Sequence, residues 1–274
     1  MPFFAPAFSS IAKKIKNTND TKIIVNCNNI IPHESGIFDK YLSLKFFKHC
    51  DYFIVMSDSV KNDLLSIIPS ASYIESKHPL YDTFGNSIDK EEARKSLSLK
   101  SEKVILNFGL IRDYKGLDLL IESTDNLKNK LDDFKIVVAG ECYNGEQQYY
   151  ELARKLEVED CFDFKFKFVE NSDIPKYFCA ADVVVLPYKS ATQSGIIPIA
   201  YHYNKPVITT NVGGLAECVL HGKTGFICDT NPQSISNGIL EFFNSNENFI
   251  NNVNEYKKQF SWEIFVKNMI AAIR

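Results

Sequence analysis

The sequence predicts an α/β protein of parallel strands covered by helices on both faces, with one complete doubly wound unit preceded by a partial one. Three observations predict this class. From Lys103 onward short apolar runs and helical segments alternate strictly, the pattern of a parallel doubly wound sheet. The runs Asp182–Leu186 and Pro206–Thr210 are short and β-branched without a period of two, which suits strands buried on both faces. Ahead of residue 82 the same alternation yields too few strands to cover its own central one, so that segment reads as part of a domain.

In chain order, residues 1–81 give a helical opening at Phe8–Lys16, a strand at Ile23–Cys27 and a polar loop carrying His33 and Glu34. A helix at Asp39–His49, a strand at Tyr52–Met56, a capped helix at Ser57–Ile67 and a weak strand at Ser72–Glu75 follow. Residues 82–88 carry Gly, Asn and Ser without periodicity and read as the interdomain linker. Asp89 caps a helix at Lys90–Leu97. Then come strand Val104–Phe108, helix Gly116–Lys130, strand Phe134–Ala139, helix Glu146–Leu156, strand Phe162–Phe168 and helix Asp173–Ala180. Phe162, Phe164, Phe166 and Phe168 alternate with polar residues, so that strand exposes one face and belongs at an edge. Strand Asp182–Leu186, a small polar loop, helix Ile196–Tyr203 and strand Pro206–Thr210 continue the pattern, and the tail returns in helices Asn231–Asn244 and Ser261–Ile273. Residues 89–256 thus form the complete unit, and 257–274 a closing segment.

Composition narrows the function classes. A net charge of −3 gives no electrostatic case for nucleic acid. Seven cysteines, an odd number with no C-x-x-C pair, point to reduced thiols in a cytoplasm rather than a disulfide framework or a zinc site. The longest apolar runs fall well short of the ~18–20 residues that span a bilayer, and the opening MPFFAPAFSSIAKK lacks the basic n-region of a signal peptide. No Asp-x-Asp occurs to hold a metal-bound diphosphate, so no metal and no cofactor is expected.

Three stretches carry chemistry. In Ser190-Ala191-Thr192-Gln193-Ser194-Gly195, Thr192 or Ser194 can cap the following helix, whose first turn tolerates Pro198. The amides of Ser194, Gly195 and Ile196 are then expected at the carboxyl edge of the sheet, facing a phosphate or sugar oxygen, unless Gly195 serves only a tight turn. In Asn107-Phe108-Gly109-Leu110-Ile111-Arg112-Asp113-Tyr114-Lys115-Gly116 a buried strand passes into a helix. Arg112 and Lys115 therefore fall at the same edge, where Gly109 permits close backbone approach. A guanidinium beside an ammonium makes a diphosphate clamp, although solvated surface cations read the same way in isolation. Gly213-Gly214 is either a plain turn or a ligand contact, and Glu217 either a carboxylate in the cleft or a first-turn residue favoured by the helix dipole. The Gly222-Lys223-Thr224-Gly225 run is no phosphate loop, because Glu217 stands where that motif needs glycine. Third, Asn28-Asn29-Ile30-Ile31-Pro32-His33-Glu34 follows a strand, with His33 and Glu34 as cleft candidates.

Over these residues the chain resembles the family 4 glycosyltransferases, retaining enzymes of the GT-B architecture with two Rossmann-like domains. The likeness runs through Arg112-x-x-Lys115-Gly116, Pro206-Val207, Gly213-Gly214 and Glu217, and reaches back to Pro32-His33-Glu34. Gln193 and Tyr201 stand where the family has two glutamates. The resemblance implies that Arg112 and Lys115 hold the donor diphosphate and neutralise it as it leaves. It implies donor contacts from Gly109, Gly116, Val169, Ser194, Gly195, Ile196 and Ile197. Gln193 would bond donor-sugar hydroxyls through its amide, and the Tyr201 ring would stack at the ribose. His33, Glu34 and Glu217 are left as acceptor or cleft residues. It also implies that the last helix crosses back to the amino-terminal domain on Trp262 and Phe265.

The expected activity is transfer of a sugar from a nucleotide diphosphate sugar to a hydroxyl acceptor with retention, in cell-surface polysaccharide or glycolipid synthesis. The expected partners are the nucleotide sugar and a glycan or lipid-linked acceptor. Peripheral association with the inner membrane face is compatible with apolar Pro2–Phe8. A further segment of roughly a hundred residues, or a partner chain, is expected to complete the amino-terminal domain. The rival reading is a nucleotide-sugar-binding subunit without catalysis of its own, or one that depends on a partner. A GT-B epimerase shares the architecture but needs more carboxylates than these stretches supply.

Overall fold

A computed structural model describes residues 4–18, 21–30, 39–81, 83–143 and 145–273. His33 and Glu34 lie outside them, as does Asp82 of the expected linker. The chain forms two compact units, Met1–His78 with Ser261–Arg274, and Pro79–Phe260. Residues 83–88, read as linker, belong to the second.

The first unit opens with α1 (Ala5–Thr18), β1 (Ile24–Cys27), α2 (Asp39–Phe47), β2 (Tyr52–Val55), α3 (Asp58–Ile67) and β3 (Tyr73–Glu75). Its strands are parallel in the order β1-β2-β3, with Val25 opposite Phe53 and Ile54 opposite Ile74. Ser57 caps α3 as its type predicts, its hydroxyl oxygen accepting from the Val60 N–H at 3.3 Å. Val60 and Leu64 on α3 are fully buried against Cys27, Phe53 and Val55. By contrast α1 buries only Ala5 and Ala12, and leaves Phe8, Ile11 and Ile15 exposed at helical spacing.

The second unit holds α4 (Lys90–Ser96), β4 (Lys103–Phe108), α5 (Leu117–Leu127), β5 (Phe134–Ala139), α6 (Glu146–Lys155), β6 (Phe162–Lys165), α7 (Ile174–Ala180) and β7 (Val183–Leu186). It continues through α8 (Ile196–His202), β8 (Val207–Thr210), β9 (Gly225–Cys228), α9 (Pro232–Asn244) and α10 (Phe249–Tyr256). Its six strands are all parallel, in the order β6-β5-β4-β7-β8-β9. Chain order reverses between β4 and β7, which makes their carboxyl ends the topological switch point. Successive strand residues feed opposite cores. Val104, Leu106, Val184 and Leu186 pack on one face, and Ile105, Val183 and Val185 on the other. That is why these strands are apolar throughout.

Asp182 ties α4 to this sheet. Its carboxylate accepts from the Val104 N–H at 2.7 Å and from Arg94 at 2.8 Å, and Arg94 is 8% exposed. Arg94 also donates to the carbonyls of Ala180, Glu102 and Ser101. A guanidinium this buried is stable only with acceptors of this kind around it.

The structure departs from the sequence reading in a few places. Strand β6 lies at the sheet edge but ends at Lys165, because Lys167 N–H turns back to the Lys165 carbonyl at 2.8 Å. A 3-10 turn, Asp113–Lys115, precedes α5. Strand β9 and helix α10 were not anticipated. Helix α11 (Trp262–Ile273) belongs to the first unit, where Phe265 is buried with Ile54, Met56 and Ile74. Of its two expected anchors Trp262 is 51% exposed, so Phe265 alone is a core residue.

Candidate functional site

At the switch point three pieces of backbone come within contact distance. Gly109 follows β4 with φ +106°, and a Cβ there would lie 3.1 Å from Ile196 Cδ1 and 3.4 Å from Lys115 Nζ. The Lys115 ammonium and the first residue of α8 therefore meet over Gly109. On the other side a Cβ at Gly140 would fall 2.0 Å from the Gly109 carbonyl oxygen, and one at Gly116 2.0 Å from that of Pro187. Glycine is required at 116 twice over, since its φ is +68°. This contact presses the start of α5 against the end of β7 and fixes where Lys115 emerges.

Among the described residues neither Arg112 nor Lys115 has an ion-pair partner. Arg112 is exposed, with its guanidinium 5.1 Å from the Tyr143 ring centroid. Lys115 is partly buried, 5.5 Å from the Tyr188 ring centroid. Burial, and then the charge of Arg112, push the Lys115 ammonium down from its ordinary 10.5 to about 8. Two cations held together without a counter-charge make a site that an anion stabilises.

The loop before α8 completes the arrangement. Ser194 Oγ lies 3.3 Å from the Tyr188 hydroxyl and accepts from the Ile196 N–H at 3.3 Å. Gly195 already has helical φ −67° and ψ −9°, and the Ser194 hydroxyl accepts from the Ile196 N–H, so Ser194 caps the start of α8 as expected and the Ile196 amide is spent on that bond. Among the described residues the Ser194 and Gly195 N–H groups have no protein acceptor. Gly195 is exposed, and a Cβ there would lie 3.6 Å from the Tyr81 hydroxyl. Gln193 Nε2 is buried with no hydrogen-bond partner, leaving a donor unspent beside the same loop. Gly213-Gly214 is explained by packing. The Gly214 N–H donates to the Thr192 carbonyl at 2.9 Å, and a Cβ at Gly213 would strike the Ala191 carbonyl oxygen at 1.6 Å.

Other expected residues fall elsewhere. Tyr201 is fully buried, with its hydroxyl donating to the Cys218 carbonyl at 2.7 Å and lying 3.1 Å from Thr224 Oγ1. Its ring is walled by Tyr256 and Phe260, so it offers no face to a ribose and is a core residue. Ile197 is 1% exposed and contributes packing rather than a surface. Val169 is half-buried on the same core as Tyr81 and Ile196. Glu217 is half-buried in the 3-10 turn Ala216–Cys218, not in the first turn of an α-helix. His202 and His221 are structural, the first bonded to the Gly85 carbonyl at 2.9 Å and the second accepting from the Ile227 N–H at 3.1 Å.

Sequence reasoning missed Tyr188, Tyr81 and Tyr143. Tyr188 was findable, since it follows Pro187 just past a buried strand, where ligand-facing residues concentrate in open parallel sheets. Among the described residues no group of three His, Cys, Asp or Glu side chains is placed to hold a metal, and no helix is long and apolar enough to cross a membrane.

Residues 89–260 match the family described as glycosyl transferases group 1. YtcC, a putative glycosyltransferase of Bacillus subtilis, is 31% identical over 195 residues, covering 68% of this chain and 47% of its own. Spore coat protein SA of the same organism is 24% identical over 243 residues, covering 80% of this chain and 63% of its own. The chain thus spans just under half of the first relative's length and just under two thirds of the second's. Among solved structures, Anabaena HepE in complex with UDP superposes with a TM-score of 0.79 at 18% identity, over 98% of this chain and 75% of that one. Sucrose-phosphate synthase from Thermosynechococcus elongatus gives 0.78 at 16% identity, over 97% and 70%. The fold is the α/β architecture of GT-B glycosyltransferases.

Proposed function

The chain belongs to the glycosyl transferases group 1 family, and from that membership we propose that it moves a sugar from a nucleoside diphosphate donor to a hydroxyl acceptor with retention, as family 4 enzymes do. One observation carries the reading: Lys115 Nζ and the start of α8 meet over Gly109 at the switch point, with Arg112 nearby and no carboxylate paired to either cation among the described residues. HepE, of the same fold, binds UDP, which supports a diphosphate as the anion.

Mechanistically, negative charge gathers on the leaving diphosphate as the glycosidic bond breaks. In this reading Arg112, Lys115 and the amides of Ser194 and Gly195 meet that charge, and stabilise it more in the transition state than in the ground state. The acceptor hydroxyl gives its proton to the departing phosphate oxygen and attacks from the face the phosphate leaves, which retains configuration. Gln193 Nε2 is the protein group offered to a donor-sugar oxygen. A glycan or lipid-linked acceptor, peripheral association with the inner membrane face, and a further segment or partner chain beside β1 belong to the same proposal.

Isothermal titration with UDP, GDP, ADP and their sugars, followed by product analysis, tests it. Binding plus transfer, with the anomeric configuration kept by NMR, is the expected result. Absence of binding to every one of these nucleotides removes the reading. A second reading, donor binding without transfer, is favoured by the burial of Tyr201, which withdraws that position from any ligand. Binding without transfer, in the presence of a full-length amino-terminal domain, selects it.

A further inference from the structure

Two acidic residues adjoin the candidate cations. Asp113 shares the 3-10 turn with Lys115, and Asp118 stands in the first turn of α5. Unopposed carboxylates that reach an anion site weaken it, because they compete for the same cations. Yet both acids meet a different ammonium. Lys189 Nζ lies 3.0 Å from Asp113 Oδ1 and 2.8 Å from Asp118 Oδ2. Lys189 comes from across the switch point, just past β7, and its N–H donates to the Tyr114 carbonyl at 2.7 Å, so the main chain fixes its place against the turn.

The Asp113 side chain is 91% exposed, so its pair with Lys189 contributes little to stability, whereas Lys189 and Asp118, 31% and 34% exposed, form the firmer pair. Resting on the donor-site reading above, we infer that Lys189 is a positioning residue that draws Asp113 and Asp118 to itself and so leaves Arg112 and Lys115 unpaired for a nucleoside diphosphate. The titration of the two lysines agrees. Burial pulls the Lys189 ammonium down, but its hydrogen bonds to Asp118 and Asp113 outweigh this and leave it above the ordinary lysine value. Lys115, with no carboxylate to meet, lies below it.

The test compares Lys189→Met, the double variant Asp113→Asn with Asp118→Asn, and all three changes together, in the full chain. UDP, GDP and ADP are titrated calorimetrically, and the Lys115 ε-methylene signal is followed against pH by NMR. Lys189→Met should weaken the nucleotide that the native chain binds by about fivefold or more and move the Lys115 titration to higher pH, as the freed carboxylates turn to it. Neutralising both acids as well should bring affinity to within about twofold of native and return the Lys115 midpoint. The acid-only double variant should stay within about twofold of native. A triple variant as weak as Lys189→Met means that Lys189 is merely structural, and overturns the inference. So does an unchanged affinity in Lys189→Met, or a fivefold loss in the acid-only variant. If the native chain binds none of the three nucleotides, the donor-site reading fails by itself. The Lys115 titration then decides for Lys189 alone: a raised midpoint in Lys189→Met supports it, and an unmoved one overturns it.

Discussion

The ammonium of Lys115 lies 5.5 Å from the centroid of the Tyr188 ring, and the hydroxyl of that ring is 3.3 Å from Ser194 Oγ. One buried side chain, 2% exposed, thus joins the turn after β4 to the loop before α8. A cation over an aromatic face keeps some stabilisation without a counter-ion, which lets Lys115 stay charged yet unpaired.

Replacing this ring separates its two roles. Tyr188→Phe keeps the face and loses the Ser194 contact, at a cost of about 1 kcal/mol in stability and little nucleotide affinity. Tyr188→Leu loses the face as well, and should weaken nucleotide binding a further threefold to tenfold, by about 1 kcal/mol. Equal affinities for the two variants in calorimetry would show that the ring does not support Lys115.

Nucleotide binding should take up a proton in mildly alkaline solution. Lys115 is pushed from its ordinary 10.5 down to about 8 in the free protein. Between those values the unfolded chain holds this proton more firmly than the native one, so the folding cost of the buried charge, complete below about 8, is relieved as pH rises toward 10.5. A bound diphosphate favours the charged form, so affinity should be greatest below about pH 8 and fall above it, by up to about tenfold per pH unit. Titrations near pH 9 in two buffers of unlike ionisation enthalpy reveal the uptake, and Lys115→Arg should abolish it. Identical affinity on both sides of the midpoint speaks against Lys115 as the anion's partner.

Removing either cation should act on the chemical step. Arg112→Ala or Lys115→Ala, in a protein with a complete amino-terminal domain, should lower turnover at least tenfold, about 1.4 kcal/mol. Melting temperature should change little for Arg112→Ala, whose side chain is exposed. Kinetics equal to the parent's would withdraw the diphosphate assignment from these residues.

Tyr201→Phe provides the contrasting case. It strips a buried hydroxyl from the Cys218 carbonyl and from Thr224, and should cost about 1–3 kcal/mol of stability in denaturant unfolding. Nucleotide affinity should stay at the parent value, because the ring has no open face. A variant that unfolds like the parent but binds donor poorly would return Tyr201 to the binding site.

Much of this was legible in the sequence, for reasons specific to each element. The strands of the larger unit show because both faces are buried, and Asp89 and Ser57 show because short oxygen-bearing side chains cap helices. Lys115 and Gly109 were legible from a strand passing into a helix. Strand β9 was hidden because its first residue is Gly225, chosen where a Cβ would strike the Val207 carbonyl oxygen at 1.8 Å and not for any strand preference. Helix α10 was masked by its asparagines, although Asn248 caps it through the Asn251 N–H at 3.2 Å and Phe249 and Val253 supply its buried stripe. The Phe162–Phe168 alternation promised a longer strand, but Phe166, just past β6, finds Tyr149 and Tyr150 of α6 instead of a strand neighbour. For Tyr201 local pattern was silent, since only the distant Thr224 and Cys218 reveal what its hydroxyl does.

The bare stripe on α1 has a practical meaning for anyone handling the polypeptide. Phe8, Ile11 and Ile15 of α1 are exposed beside a three-strand ribbon whose first member, among the described residues, hydrogen-bonds on one flank only. That unit is the expected starting point for self-association when the protein is concentrated, which light scattering across a concentration series would detect.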